Sequence, residues 1–521
     1  MLLRAPPYPN VLHHHLLILS SRLHLSAFDG VNPSLVPSDL WVAKAFSTVY
    51  LLSPSSPDRL ASFRGVLSPS VAFEAIRRIQ NPNFALGLFE LARSSFEISH
   101  SVDSYRFLVG FLCRSGLQNY ALKMFDEMIG EGHCPDSSFL EFLVSTCAEA
   151  GILDCAVELI TRTAELGCCI ETYTFNKVMS LLVGRNRAHD AVALFKGQLG
   201  SGCFTPDGWS FNIVVKGLCK LGDVEEAFKF IEKMGSFGCS PDTVTHNILV
   251  DGLCRAGEVE RGHEILRRIE KDGFCVPNVV TYTSLISGYC KMGKMEEASM
   301  VFRDMIGFGV KPSRVTYNVL IDGYGKVNDM QSAVSVYDQM ETCACTPDVV
   351  TLTSLIDGYC RSGQLDNAMK LWNEMEHREL QPNVYTFAIM INSLCKKNRL
   401  DEAQVLLKKL SLRRDIVPRA FIYNPVIDGL CKVGNVDEAN AILVEMEGKR
   451  CFPDKYTYTI LIIGHCMKGR MSEAIALFHK MVATGCAPDD VTVGCLVSCL
   501  LRAGMPSEVN RIMLISSRNI S

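Results

Sequence analysis

The feature that most constrains this 521-residue chain is a period. VTYTSLISGYCKMGKMEEA at 280–298 is followed by VTYNVLIDGYGKVNDMQSA at 315–333 and VTLTSLIDGYCRSGQLDNA at 350–368, each copy 35 residues after the last. Self-similarity at a period of about 20 to 50 residues marks a stacked repeat architecture. Full units start at residues 102, 137, 172, 208, 243, 279, 314, 349, 384, 420 and 455, making eleven over 102–489. The units at 172, 243 and 384 are 36 residues long and the other eight are 35. Residues 67–101 read as a degenerate N-terminal repeat, and 490–521 as a truncated C-terminal capping repeat.

Each unit reads as two helices. In the unit at 279, Tyr282, Leu285, Ile286 and Tyr289 form a 3,4-spaced apolar stripe. Gly293 supplies the break expected just past a helix end. The second helix opens on Glu296 and Glu297, acids that suit a first turn, and continues with Ala298, Val301, Phe302 and Met305. Gly309 and Pro312 close the unit. One such hairpin cannot bury both stripes, whereas a stack buries a continuous core. The fold class expected is all-α, an α-solenoid superhelix of stacked helix-turn-helix repeats of 35–36 residues.

The flanks differ from the repeats. Residues 1–28 contain Arg4, Arg22 and several serines but no acid before Asp29, the pattern of an organellar transit peptide. His13, His14 and His15 interrupt what a secretory signal would need as an apolar run, and a lone histidine triplet is weak evidence for metal. Residues 29–66, rich in Pro and Ser, read as a linker with disordered character. No apolar run reaches the ~18 residues of a membrane helix, so no membrane insertion is expected.

Twenty-two cysteines is a high count for a chain of this kind. Disulfide frameworks belong to short secreted domains, so reduced thiols are expected. Cysteine recurs at position twelve of the unit: Cys113, Cys219, Cys254, Cys290, Cys360, Cys395, Cys431 and Cys466. That spacing places one thiol per layer, whereas zinc sites pair ligands within a few residues, and no C-x₂-C occurs. Gly325 and Val183 fill the same slot elsewhere, which reads as a packing position tolerant of small apolar groups. Cys203, Cys239, Cys345, Cys451 and Cys486 near unit ends alternate with Val310 and Leu380, again a packing slot. Cys168–Cys169 and Cys343-Ala-Cys345 are isolated pairs and receive no function. Neither a cofactor nor a metal is expected.

The period, the frame VTYNxLIDGxCKxG, the later EEA and the closing G-x-x-PD resemble pentatricopeptide repeats of the P type. The resemblance covers 102–489 closely and 67–521 loosely. Tetratricopeptide repeats have a 34-residue period and a W-x₂-LG-x₂-Y pattern, neither of which is present. The resemblance implies an organellar protein that binds single-stranded RNA in a groove lined by first helices, about one base per repeat. In that family the fifth and last residues of a unit do most of the reading. Asn at five favours pyrimidines and Thr purines; Asp at the end favours uracil or guanine, and Asn favours cytosine or adenine.

Carried onto this chain, Asn176 with Asp207 and Asn212 with Asp242 each imply uracil. Asn247 with Asn278 implies a pyrimidine, and Thr283 with Ser313 leans to a purine. Asn318 with Asp348 implies uracil, Thr353 with Asn383 adenine, Asn424 with Asp454 uracil, and Thr459 with Asp489 guanine. Arg106 with Asp136, Glu141 with Glu171 and Ala388 with Arg419 depart from the pattern and receive no base. The implied core, 5′ to 3′, is UUYRUAxUG. The second residue of a unit packs on the base in this family. Here it is Val244, Val280, Val315 and Val350, or aromatic Tyr173, Trp209, Tyr385, Phe421 and Tyr456, rings able to stack on bases.

Other features bear on the same reading. Asn and Thr near a helix start also satisfy backbone groups, and the preceding Asp suits an N-cap. Position thirteen is basic in most units, at Arg114, Lys220, Arg255, Lys291, Lys326, Arg361, Lys396 and Lys432. These cations suit phosphates along the groove and equally a helix C-terminus. Acids cluster at second-helix starts, as Glu225, Glu226, Asp401, Glu402, Asp437 and Glu438, and are expected to face away from the groove. Such segregation reconciles a net charge of −4 with RNA binding.

No G-x-x-x-x-G-K-[ST] phosphate loop occurs, and the H-x-E of His377, Arg378 and Glu379 is not accompanied by the P-C-x-x-C of zinc deaminases. The chain therefore reads as a binder and not an enzyme, acting on an organellar transcript in RNA processing, stability, splicing or translation, with protein partners in that processing. The leader, with Arg and Leu and few Thr, points to the mitochondrion, with the chloroplast as the alternative. The competing reading is a protein-binding helical scaffold without an RNA code.

Overall fold

The computed structural model describes residues 36–518 except 55–56, 134, 166–169, 202–203, 273–274 and 414. The leader at 1–28, residues 29–35, and Cys168, Cys169 and Cys203 lie outside the described residues. Every regular element among the described residues is helical. The chain divides into two compact units, residues 1–252 and 253–521. In the first, the first helices Val102–Arg114, Ser137–Glu149, Thr172–Gly184 and Gly208–Leu221 pack each on the next. In the second, Val279–Lys291, Arg314–Lys326, Val349–Arg361, Val384–Lys396, Ala420–Val433, Lys455–Met467 and Asp490–Arg502 do the same. The all-α solenoid architecture is therefore observed in each.

Local chemistry accounts for the hairpins. Asp348 caps Val349–Arg361: its carboxylate accepts from the Thr351 amide at 2.9 Å, and the Thr351 hydroxyl accepts from the Asp348 amide at 3.1 Å. The same reciprocal box opens the helices after Asp207, Asn278, Ser313, Asn383 and Asp454. The turn into the second helix needs a left-handed residue. It is Gly293 in one unit (φ 72°) and Asn328 in the next (φ 61°), the two residue types that tolerate that region best.

Packing then joins the hairpins. In the unit at 279, Tyr282, Leu285 and Ile286 are fully buried, as are Ala298, Val301 and Met305 on the second helix Met295–Gly307. One apolar cluster runs from Ile321 through Trp372, Phe387 and Tyr423 to Leu461. Each fully buried side chain of this size contributes about 1.5–3 kcal/mol, more than a surface ion pair and more than the ~1 kcal/mol of a typical cap.

Position twelve is indeed packed, but less permissively than its sequence variation suggests. Cys290 lies over Gly323 of the next unit, where an added Cβ would sit 2.7 Å from the sulfur. Burial pushes the thiols of Cys290, Cys395 and Cys431 up to about 12, so they are unreactive. Gly325 is different in kind. A Cβ there would stand 3.2 Å from the Cα of Gly358, so a side chain in this slot would require the neighbouring backbone to give by a few tenths of an ångström.

Two flanking segments differ from the reading of the sequence. Within 29–66, Pro37–Leu52 is a 16-residue helix with Ala43, Phe46 and Tyr50 buried. Its proline stands at the first helical turn, where no amide donor is needed, so proline content there did not signal a linker. The stretch from 490 holds both helices of a hairpin, Asp490–Arg502 and Pro506–Arg518, because two 13-residue helices fit within it. No helix among the described residues is long and apolar enough to cross a membrane.

Candidate nucleic-acid interface

The last residue of a unit is the N-cap of the next first helix, so it is held in one orientation by the backbone it caps. The fifth residue of the preceding unit lies against it. Asn176 donates through Nδ2 to Asp207 Oδ1 at 3.1 Å, Asn318 to Asp348 at 3.4 Å, and Asn424 to Asp454 at 3.3 Å. Residues 30 or 31 apart in the chain thus form a polar pair in these three units.

A third residue completes each pair. The Thr351 hydroxyl directs its proton to Asn318 Oδ1 at 2.7 Å, with Asp348 Oδ1 at 3.0 Å alongside. Thr245 approaches Asn212 Oδ1 at 2.7 Å, and Thr457 approaches Asn424 Oδ1 at 2.8 Å. Where the fifth residue is threonine, the contact is hydroxyl to hydroxyl: Thr283 with Thr316 at 2.8 Å, Thr353 with Thr386 at 2.8 Å, and Thr459 with Thr492 at 2.7 Å. These third-position threonines are at most 1% exposed. They were missed in the sequence, although the near-constant T of the VTY frame was their signal. At Asn176 the corresponding residue is Ser210, whose hydroxyl turns to Asp207 at 2.7 Å and leaves Asn176 Oδ1 buried without a partner.

The electrostatics follow from this geometry. Partial burial raises the Asp348 carboxyl. The Thr351 amide and hydroxyl, the Asn318 amide and Arg314 together outweigh it and hold the group below the usual carboxylate range. Asp207 and Asp242 are lowered in the same way. At Asp489 the Thr492 hydroxyl and amide dominate, and the shift is again downward. These caps are anions at neutral pH.

The second residue of each unit projects outward. Tyr173, Trp209, Val244, Val280, Val315, Val350, Tyr385, Phe421 and Tyr456 are between 44% and 68% exposed. Large apolar groups left in water at one fixed position per unit are not explained by the core.

Three units lack the standard pair. Arg106 bonds Asp136 at 3.1 Å and Ser138 at 3.0 Å, with its guanidinium over the Phe139 ring. Glu141 accepts from the Glu171 amide at 3.3 Å. Ala388 offers no polar group, and Arg419 begins its helix without a side-chain cap. Asn278 caps its own helix, accepting from the amides of Val280 and Thr281.

The position-thirteen cations are partly engaged within the fold. Lys326, Arg361 and Lys432 pair with Asp322, Asp357 and Asp428 four residues earlier, at 2.6–2.7 Å. Lys220 reaches back to the Val183 carbonyl at 2.8 Å. Even so, Lys326, Arg361 and Lys396 converge with Lys397 on a polar cleft of about 650 Å³ at the C-terminal ends of three successive first helices. Second-helix acids are taken up by ion pairs between neighbouring units. Glu226 pairs with Lys196 at 3.0 Å, and Asp437 with Arg470 at 2.5 Å.

Residues 206–255, 277–326, 312–361, 347–396, 418–467 and 460–502 match the PPR repeat family, and 103–133, 244–274 and 385–414 match the PPR repeat. The chain belongs to the PPR repeat family. Among curated relatives, pentatricopeptide repeat-containing protein At2g06000 of Arabidopsis thaliana is 44% identical over 185 residues, 35% of this chain and 34% of that protein. Pentatricopeptide repeat-containing protein At5g16420, mitochondrial, of the same plant is 27% identical over 174 residues, 33% of this chain and 32% of that protein. The chain spans about a third of the length of these curated relatives. Among solved structures, the pentatricopeptide repeat protein PPR10 of maize, in complex with an 18-nt psaJ RNA element, superposes with a TM-score of 0.55 at 21% identity. That match covers 97% of this chain and 71% of PPR10, and it is a likeness of fold.

Proposed function

We propose that this PPR repeat chain binds single-stranded RNA sequence-specifically, one base per repeat, through the eleven units of 102–489. The observation that carries the reading is the triplet that recurs at first-helix starts. A fixed polar pair stands beside an exposed apolar side chain, as in Asn318, Asp348 and Val315. Its amides, hydroxyls and carboxylates offer donor and acceptor sets to a base's Watson–Crick edge, and the apolar residue offers a face to stack on. Position-thirteen cations meet the phosphates. That a family member of the same fold was solved with an RNA element supports the assignment.

The site implied is UUYRUAxUG. The chain acts as a P-type clamp without chemistry of its own: it shields its segment, holds it single-stranded, or recruits proteins that process, splice or translate the transcript. The acid-free leader, together with mitochondrial and chloroplastic relatives, supports action in an organelle, and the Arg- and Leu-bearing leader favours the mitochondrion over the chloroplast. The test is binding of the full chain to UUCAUAAUG RNA and to its complement. Preference for the first supports the code. Equal affinity for both, or none for either, overturns it and leaves the protein-binding scaffold.

A further inference from the structure

In an ordinary unit the position-twelve thiol lies over the glycine of the next unit. Cys219 does so over Gly252, Cys290 over Gly323 and Cys431 over Gly464, where a Cβ would come within 2.3–2.7 Å of the sulfur. Cys113 departs from this, as do Cys360 and Cys466, whose next units carry Ser393 and Cys499 in place of the glycine. The unit after Cys113 has Thr146 in place of that glycine, and two more cysteines turn toward Cys113. Cys147, on Ser137–Glu149, stands where other units carry Leu218, Tyr289 or His465. Cys155, on Leu153–Glu165, stands where they carry Glu226, Glu297 or Glu438. The repeat folds with leucine and glutamate at these two positions, so its packing does not call for sulfur at either.

Both departures end in one place. The sulfurs of Cys113, Cys147 and Cys155 all lie within 4.8 Å of one another, with Cys147 and Cys155 3.6 Å apart. The residues come from three helices of two successive hairpins and are 0%, 0% and 2% exposed. No other histidine, cysteine or acid among the described residues joins the group.

We propose that Cys113, Cys147 and Cys155 form a three-thiolate site for a soft closed-shell metal ion, Cu(I). Metal–sulfur bonds of about 2.3 Å place three sulfurs in a plane around one ion about 4 Å apart; here one pair is 3.6 Å apart and all three lie within 4.8 Å. Structural zinc takes four ligands, and this buried pocket offers three. Soft thiolates select Cu(I), which is content with three. Binding is ligand exchange without electron transfer: three Cu–S bonds form and the three S–H protons leave to solvent. The ion ties the hairpin at 137 to the first helix of the unit before it, a link absent from units that carry one thiol.

The experiment titrates the reduced full chain with Cu(I), without oxygen, against a chromogenic Cu(I) chelator. Cys147→Leu and Cys155→Glu restore residue types the repeat uses elsewhere, and Cys290→Ala removes an ordinary position-twelve thiol. The expected result is one copper fewer per chain in each of the first two variants and no change in Cys290→Ala. Cu(I) should also raise the unfolding temperature of the parent and not of those two. If either variant loses helical circular dichroism, Cys155→Ser is read in its place. An unchanged copper count, a loss in only one of the two sites, or equally tight retention of Zn(II) by the parent overturns the proposal.

Discussion

Thr351 directs its hydroxyl to Oδ1 of Asn318, 2.7 Å away and 33 residues earlier in the chain. That contact fixes which way the Asn318 amide points. Its oxygen is committed to the stack, and its nitrogen faces Asp348. The side chain proposed to read a base is thus oriented by a residue of the following repeat.

Thr351→Val keeps the shape of the side chain but removes the hydroxyl. Asn318 Oδ1 loses its donor and the Asp348 amide its acceptor, each part-buried. Chemical denaturation should show a loss of about 1–3 kcal/mol, while Thr351→Ser, which keeps the acceptor for the Asp348 amide as Ser210 does at Asp207, should lose less. On RNA, Thr351→Val should weaken discrimination at one base only.

Asn318→Thr, with Asp348 retained, should move the preference at one base from uracil toward guanine. The fold already accommodates threonine here, since Thr283 and Thr353 make hydroxyl contacts to the next unit at the same place. Competition with oligomers differing at that base reads the change. An unaltered preference would show that residue 318 is not a reader.

Gly325→Cys imports the residue found at this position in both neighbouring units, yet it should destabilise. The new Cβ would meet the Gly358 Cα at 3.2 Å, and a backbone atom cannot rotate away as a side chain can. Overpacking of this kind costs about 1–3 kcal/mol, measurable as a lower urea midpoint. Cys290→Gly, the reverse exchange, should also destabilise, by leaving a void over Gly323.

Asp348 carries a pH signature. Its folded pKa is depressed, so its contribution is fully present above the unfolded carboxylate value of about 3.9. It is lost as pH falls through the lower, folded value. Asp348→Asn keeps a cap of the kind Asn383 makes but removes the titration. The variant's stability should therefore fall less steeply than the parent's between pH 5 and 3 (about one unit on either side of that value), as followed by thermal unfolding across that range.

The sequence by itself determined the hairpins, because their causes are local. Caps such as Asp348, left-handed turn residues such as Gly293 and the apolar stripe of Tyr282, Leu285 and Ile286 all act within one period of 35 residues. Positions five and last were singled out by the family resemblance, and the strict period then kept them in register from unit to unit. Only the tertiary structure decided how closely one hairpin approaches the next. That distance places Thr351 on Asn318, sets Gly325 against Gly358, and gathers Cys113, Cys147 and Cys155 from three helices. It arises from the packing of side chains on facing surfaces, which no spacing along the chain encodes. Pro37–Leu52 makes the same point at the flank, where burial of Phe46 and Tyr50 outweighed a composition that read as linker.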